Sequence, residues 1–113
     1  MKIAIVGSRS ISGIDLGKYI PECDEIVTGG AKGIDSLAEE YARSHGLRLT
    51  VFKPEYTLYG KAAPIVRNKY IVNYCDRIIA FWDGKSRGTK STIDLFEKLG
   101  KHIRVIIIEP EEK

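Results

Sequence analysis

The chain has only two cysteines and two histidines in 113 residues. Cys23 and Cys75 stand alone, without the paired spacing of a zinc site or a redox motif, so both read as structural thiols. No apolar run approaches the ~20 residues that span a bilayer, and no charged-then-apolar leader precedes the first strand. The expectation is a soluble, cytoplasmic protein with no membrane partner. A one-sided charge is missing too. Eighteen Lys and Arg face fifteen Asp and Glu, a net +3, and the two signs alternate along most of the chain. A dedicated nucleic-acid binder usually carries a basic face, so this balance argues against nucleic acid as a partner. Only Glu109-Pro110-Glu111-Glu112-Lys113 forms a charge run, read as a solvated tail. With no linker, repeat or low-complexity segment, residues 1–113 read as one domain large enough for a single core.

What the chain does have is an alternation of two periods. Strand-like runs are Lys2–Val6, Glu25–Thr28, Leu47–Phe52, Arg77–Trp82 and Ile103–Ile108. Three of them (IAIV, IIAFW and VIII) are nearly continuous in apolar residues, as in parallel strands covered on both faces. Between them lie four helix candidates. The first is short, with Ser12 and Asp15 spaced as a capping box and Pro21 ending it. In the second, Ile34, Leu37, Ala38, Tyr41 and Ala42 follow helical spacing and Gly46 supplies the stop. The third covers about Ala62–Tyr74 and tolerates Pro64 in its first turn. The fourth places Thr92, Leu95, Phe96 and Leu99 on one face and stops at Gly100. This pattern predicts an α/β fold: a Rossmann-like three-layer sandwich on a five-stranded parallel sheet of order 3-2-1-4-5. The ligand crevice then falls at the carboxyl edge, where strands 1 and 4 part.

That topology sorts the polar residues. Gly7-Ser8-Arg9-Ser10, Thr28–Gly33, Pro54-Glu55-Tyr56 and Asp83–Thr89 come to the carboxyl edge. His45, His102, Cys23 and Cys75 fall at the amino edge, which argues against a histidine-based triad or a metal site. Strands 2 and 4 are separated by strand 1, hence ~9–10 Å apart, too far for a Cys23–Cys75 disulfide.

Two turns carry the glycines, Thr28-Gly29-Gly30-Ala31-Lys32-Gly33-Ile34-Asp35 and Asp83-Gly84-Lys85-Ser86-Arg87-Gly88-Thr89. Each joins a strand-like run to a helix-like run, where backbone N–H groups close around an anion at the positive end of a helix. Neither is a standard nucleotide fingerprint. Gly84-Lys85-Ser86 resembles the tail of a P-loop, but the required glycine five positions earlier is Ile79. The G-x-G-x-x-G pattern is absent after strand 1, where Ser8 and Arg9 follow Gly7. Glycine also serves tight turns with no ligand, yet three in five positions point to close backbone approach. Asp35 near a helix start competes with a phosphate for the same N–H groups; it either bonds a ribose hydroxyl or caps the turn. Arg67 and Asn68 lie on the third helix, where spacing alone does not separate a ligand contact from a solvated face. Tyr56, Tyr59 and Trp82 either stack on a base or belong to the core and rim.

Taken in order, these stretches resemble the SLOG superfamily, whose members include DprA/Smf proteins and the LOG phosphoribohydrolases, and most closely its small stand-alone YspA-related branch. The matching pieces are GSR at Gly7–Arg9, TGGAKGID at Thr28–Asp35, RNKYIV from Arg67, AFWDGKSRGT at Ala80–Thr89, and Gly100-Lys101. The resemblance implies a Rossmann-like fold that binds nucleotides or nucleotide-derived ligands at the same crevice. In the LOG branch, an arginine on the intervening helix and the glutamate of a GTxxE loop carry cleavage of the base–ribose bond. Arg67 matches the arginine and Gly88-Thr89 the GT, but Thr92 stands at the glutamate position, and a hydroxyl cannot replace that carboxylate. Asp94 lies roughly 200° away around a helix, leaving Asp83 and Glu55 as stand-ins. Other SLOG domains sense ADP-ribose-like or cyclic nucleotide signals, a role that needs binding without chemistry.

The sequence therefore reads as a binder of a small nucleotide-derived ligand, with no resident cofactor or metal. Its contacts are expected from Gly7, Ser8, Arg9, Thr28, Gly29, Gly30, Ala31, Lys32, Gly33, Asp35, Arg67, Asn68, Asp83, Gly84, Ser86, Arg87, Gly88 and Thr89. A hydrolase of the N-glycosidic bond using Arg67, Asp83 and Glu55 is the alternative. The third helix carries apolar or aromatic side chains around most of its circumference (Ile65, Val66, Tyr70, Ile71, Val72, Tyr74), which predicts a homodimer or higher homo-oligomer.

Overall fold

The computed structural model describes residues 1–109; all of the acidic tail beyond Glu109 lies outside them. Five parallel strands, β1 (Lys2–Gly7), β2 (Glu25–Thr28), β3 (Arg48–Val51), β4 (Arg77–Trp82) and β5 (Ile103–Ile107), form one sheet of order β3-β2-β1-β4-β5. This is the Rossmann-like order that the alternation predicts. β1 is central, with Ile3 aligned to Ile26 on one side and to Arg77 on the other. Because strand side chains alternate, the sheet splits the core in two. Ile3, Ile5, Ile26, Ile79 and Phe81 pack on one face with Ile34, Ala38 and Ala42 of α1 (Ile34–Ser44). Ala4, Val6, Val27, Ile78 and Ala80 pack on the other, against α3 (Ala63–Tyr74) and α4 (Arg87–Lys98). A single turn, α2 (Tyr56–Tyr59), precedes α3, and Pro64 sits in the first turn of α3, where its missing N–H costs nothing.

Both long amphipathic helices end as expected. Gly46 and Gly100 adopt positive φ (65° and 76°). Past them, Leu47 N–H donates to Ala42 O at 2.9 Å and Lys101 N–H to Phe96 O at 3.3 Å, the paired closure that only glycine allows cheaply.

Three expectations are corrected. The first helix candidate is only a 3₁₀ turn, Leu16–Lys18, capped by Asp15, whose carboxylate accepts the Gly17 N–H at 3.0 Å. Leu16 still reaches the core with Ile11 and Ile20. The buried stripe of α4 runs through Thr89, Ile93 and Phe96, while Leu99 is 46% exposed. β5 is not covered on both faces: it is an edge strand, and Ile107 is 60% exposed. Cys23 and Cys75 are free thiols. Among the described residues, no helix is long and apolar enough to cross a membrane.

Candidate functional site

β1 and β4 part at their carboxyl ends, and a cleft of about 470 Å³ opens there. Its floor is the Gly7–Ser10 turn after β1, one wall is the start of α4, and the other is α3 with the turn after β2. Ser8 is buried, and its Oγ lies 3.1 Å from Thr89 Oγ1 and accepts the Asp83 N–H at 3.2 Å. One hydroxyl thus ties the turn after β1 to the turn after β4.

The turn after β4 is fixed by its own aspartate. Asp83 Oδ1 accepts the N–H groups of Ser86 (2.7 Å) and Lys85 (2.8 Å), and Oδ2 accepts the Ser10 hydroxyl at 2.7 Å. The Ser86 and Lys85 N–H groups, followed by the Ser10 hydroxyl, pull this carboxyl down to about 2. Ser86 then caps α4 by accepting Thr89 N–H at 3.3 Å. Beside it Gly88, in the first turn of α4, lines the cleft with open space where a side chain would stand. Trp82 Nε1 donates to Ser86 O at 2.9 Å, so that ring supports the turn.

In the turn after β2, Asp35 Oδ2 accepts the N–H groups of Gly29 (3.2 Å) and Ala31 (3.0 Å). Asp35 thus closes its own turn while lining the cleft. Burial pushes this carboxyl above its ordinary value, opposed by the Ala31 N–H and the Arg67 charge. The turn is also packed against backbone: a Cβ at Gly33 would lie 2.7 Å from Arg9 O.

Arg67 joins the walls. Its Nη1 donates to Gly29 O, and its Nε donates to Asn68 Oδ1 at 2.8 Å. Gly29 makes this possible, since a Cβ there would stand 2.8 Å from the guanidinium carbon. Burial lowers the Arg67 pKa and the Asp35 charge raises it. Asn68 is buried and its Nδ2 donates to Thr92 Oγ1 at 3.4 Å, while the Thr92 hydroxyl donates to Gly88 O at 3.0 Å.

Of the residues singled out from the sequence, Gly7, Ser8, Arg9, Gly29, Ala31, Asp35, Arg67, Asn68, Asp83, Ser86, Gly88 and Thr89 all line this one cleft. Thr28, Gly30, Lys32, Gly33, Gly84 and Arg87 do not. Thr28 is fully buried, its hydroxyl without a partner among the described residues. Gly30 faces Val51 and Lys53, and Gly84 faces Ile107. Glu55 lines a separate cavity on the far side of Arg67. The expected contacts leave out Val6, Ser10, Pro64, Ile71 and Thr92, which also line the cleft. Ser10 had a signal, its place directly after Gly7-Ser8-Arg9; Pro64 and Ile71 had none beyond their helix.

Chemically, the cleft combines serine and threonine hydroxyls, the N-terminus of a three-turn helix and two arginines. Such groups complement an oxyanion. Its two lining carboxylates, Asp35 and Asp83, are already committed to their own turns.

The sheet order and the crevice at its switch point define a Rossmann-like α/β protein whose cleft is lined by hydroxyls, two arginines and two carboxylates. Residues 1–59 match the model of the YspA, cpYpsA-related SLOG family, and the chain belongs to that family. No curated protein and no solved structure matches the chain.

Proposed function

We propose that the protein binds a nucleotide, of ADP-ribose-like or cyclic nucleotide type, in this cleft in the cytoplasm, for sensing or sequestration. The observation that carries the reading is the convergence of Ser8, Ser86, Thr89 and Gly88 at the start of α4, with Arg67 opposite. A phosphate seated there meets hydroxyl donors and the positive end of a helix. The SLOG family is consistent with nucleotide binding or processing, but fold and family leave the chemistry to the residues.

Binding without cleavage fits the carboxylates. Asp83 is held near 2 by its own turn and is a poor proton donor or acceptor at neutral pH. Asp35 accepts two backbone N–H groups, and Glu55 faces another cavity. The second reading, hydrolysis of an N-glycosidic bond, draws on Arg67, which lines the cleft at the place of the family's arginine.

Self-association belongs to the same proposal. Leu58 and Ile65 are 69% and 54% exposed on α2 and α3, apolar area that a second copy would cover.

A thermal-shift panel of nucleoside monophosphates, NAD, ADP-ribose and cyclic ADP-ribose isomers tests the reading, with product analysis of each hit and light scattering of the same samples. A ligand at about 100 times its Kd stabilises the fold by about 2.7 kcal/mol. The expected result is a shift without released base, from an oligomer. No shift across the panel removes the binding reading, robust base release replaces it with the hydrolase, and a monomer at tens of micromolar removes the dimer.

A further inference from the structure

Beside the polar cleft lies a second cavity of about 500 Å³, between the chain following β3 and the outer face of α3. Its character is different. Phe52, Tyr59 and Tyr70 contribute aromatic rings, and Lys53 and Glu55 contribute charge. The Phe52 and Tyr70 rings lie 13° from parallel with centroids 6.2 Å apart. Tyr74 packs edge-on against Phe52 at 5.5 Å, so that wall is fixed from behind. Tyr70 nevertheless stays 53% exposed. Arg67 lines both cavities, and its bonds to Gly29 O and Asn68 Oδ1 hold it at their boundary.

We propose that this aromatic cavity is the base subsite of the ligand: a purine stacks against Tyr70, its sugar crosses Arg67, and its phosphate reaches the start of α4. The inference rests on the nucleotide reading of the polar cleft. Each end of a nucleotide meets matching chemistry. A flat π-system prefers an exposed parallel ring, and a site of aromatic walls with a few polar groups is the usual form of a small-molecule pocket. Lys53 and Glu55 place one donor and one acceptor where the base edge would be read.

Calorimetric titration of AMP and of ribose 5-phosphate into wild type, Tyr70→Ala and Tyr70→Phe tests it. Tyr70 lies largely outside the core, and circular dichroism confirms that the variants fold. Tyr70→Ala is expected to weaken AMP about tenfold, the worth of one stacked base, and to leave ribose 5-phosphate unchanged. Tyr70→Phe, which keeps the ring, is expected to retain wild-type affinity. AMP binding wild type no more tightly than ribose 5-phosphate overturns the subsite and leaves the cleft reading standing. So does an unchanged AMP affinity in Tyr70→Ala, equal weakening of both probes, or loss of ring-dependence through a changed oligomer mass in light scattering. Failure of both probes to bind wild type removes the cleft reading and the subsite together.

Discussion

In the turn after β2 a buried carboxylate, Asp35, accepts the N–H groups of Gly29 and Ala31. In the turn after β4 a partly exposed one, Asp83, accepts those of Lys85 and Ser86. The two devices share a design and shift in opposite directions: burial raises Asp35, while two N–H groups and a serine hydroxyl in a wetter setting pull Asp83 down to about 2. The difference teaches where an anion can go. Asp35 fills the N–H groups nearest the cleft in its own turn, and the rest of that turn packs on Arg9 and Val51. Asp83 instead folds back on the N–H groups of Lys85 and Ser86 and leaves the first turn of α4 facing the cleft, with Gly88 open. Gly30 and Gly33 in the turn after β2 therefore serve the fold, while Gly88 after β4 leaves open space at the cleft.

Gly33→Ala gives the largest expected effect. Gly33 has φ 74° and ψ −120°, a conformation almost closed to other residues. An added Cβ would also lie 2.7 Å from Arg9 O, backbone that cannot swing aside. Strain and overpacking together are expected to cost about 3 kcal/mol, read as a lower midpoint in denaturant melts. A variant as stable as wild type would break the assignment of this turn to the fold.

The opposite pKa shifts give the second test. Asp83 is depressed, so its stabilisation is present above the ordinary value of 3.8 and is lost as pH falls toward about 2. Asp35 is raised, so its contribution is fullest below its unfolded value and is lost as pH rises through its folded value. The stability difference between wild type and Asp83→Asn is expected to shrink on acidification from pH 5 to 2. For Asp35→Asn the difference runs the other way. Carboxyl NMR titration reads both groups directly, and two curves of the same slope would erase the contrast.

Much of this was legible in advance. The spacing of Ile34, Ala38 and Ala42, the stops at Gly46 and Gly100, and the apolar runs of β1 and β4 carry their structure in local pattern, and the sheet order follows once right-handed crossovers and doubly wound wiring are added to the alternation. The failures share a cause. The sequence pattern leaves the role of Asp35 open and does not show that Gly30, Lys32 and Gly33 lie off the cleft. Each depends on which backbone N–H a short side chain reaches, or on the direction a turn faces. Those are properties of the folded loop, with no period in the sequence. The exposed face of β5 was missed because an apolar run does not say whether a strand ends at an edge.

The smallest expected effect tests the other half of the comparison. Gly88 lies in the first turn of α4, makes no use of positive φ, and has no atom within 4 Å of where a Cβ would stand. Glycine in a helix gives up stability relative to alanine, and nothing in the packing requires it here. Gly88→Ala is therefore expected to stabilise the fold by about 0.5 kcal/mol, less than a mid-helix exchange because the first turn frays. The same methyl stands in the cleft, beside the hydroxyls proposed to hold a phosphate, so AMP affinity is expected to fall as the melting temperature rises. That opposition separates the two kinds of glycine: Gly33→Ala lowers stability, and Gly88→Ala raises it at the expense of the ligand. A Gly88→Ala protein that melts higher and binds AMP as tightly as wild type would show that the start of α4 is not where the ligand's charge is held.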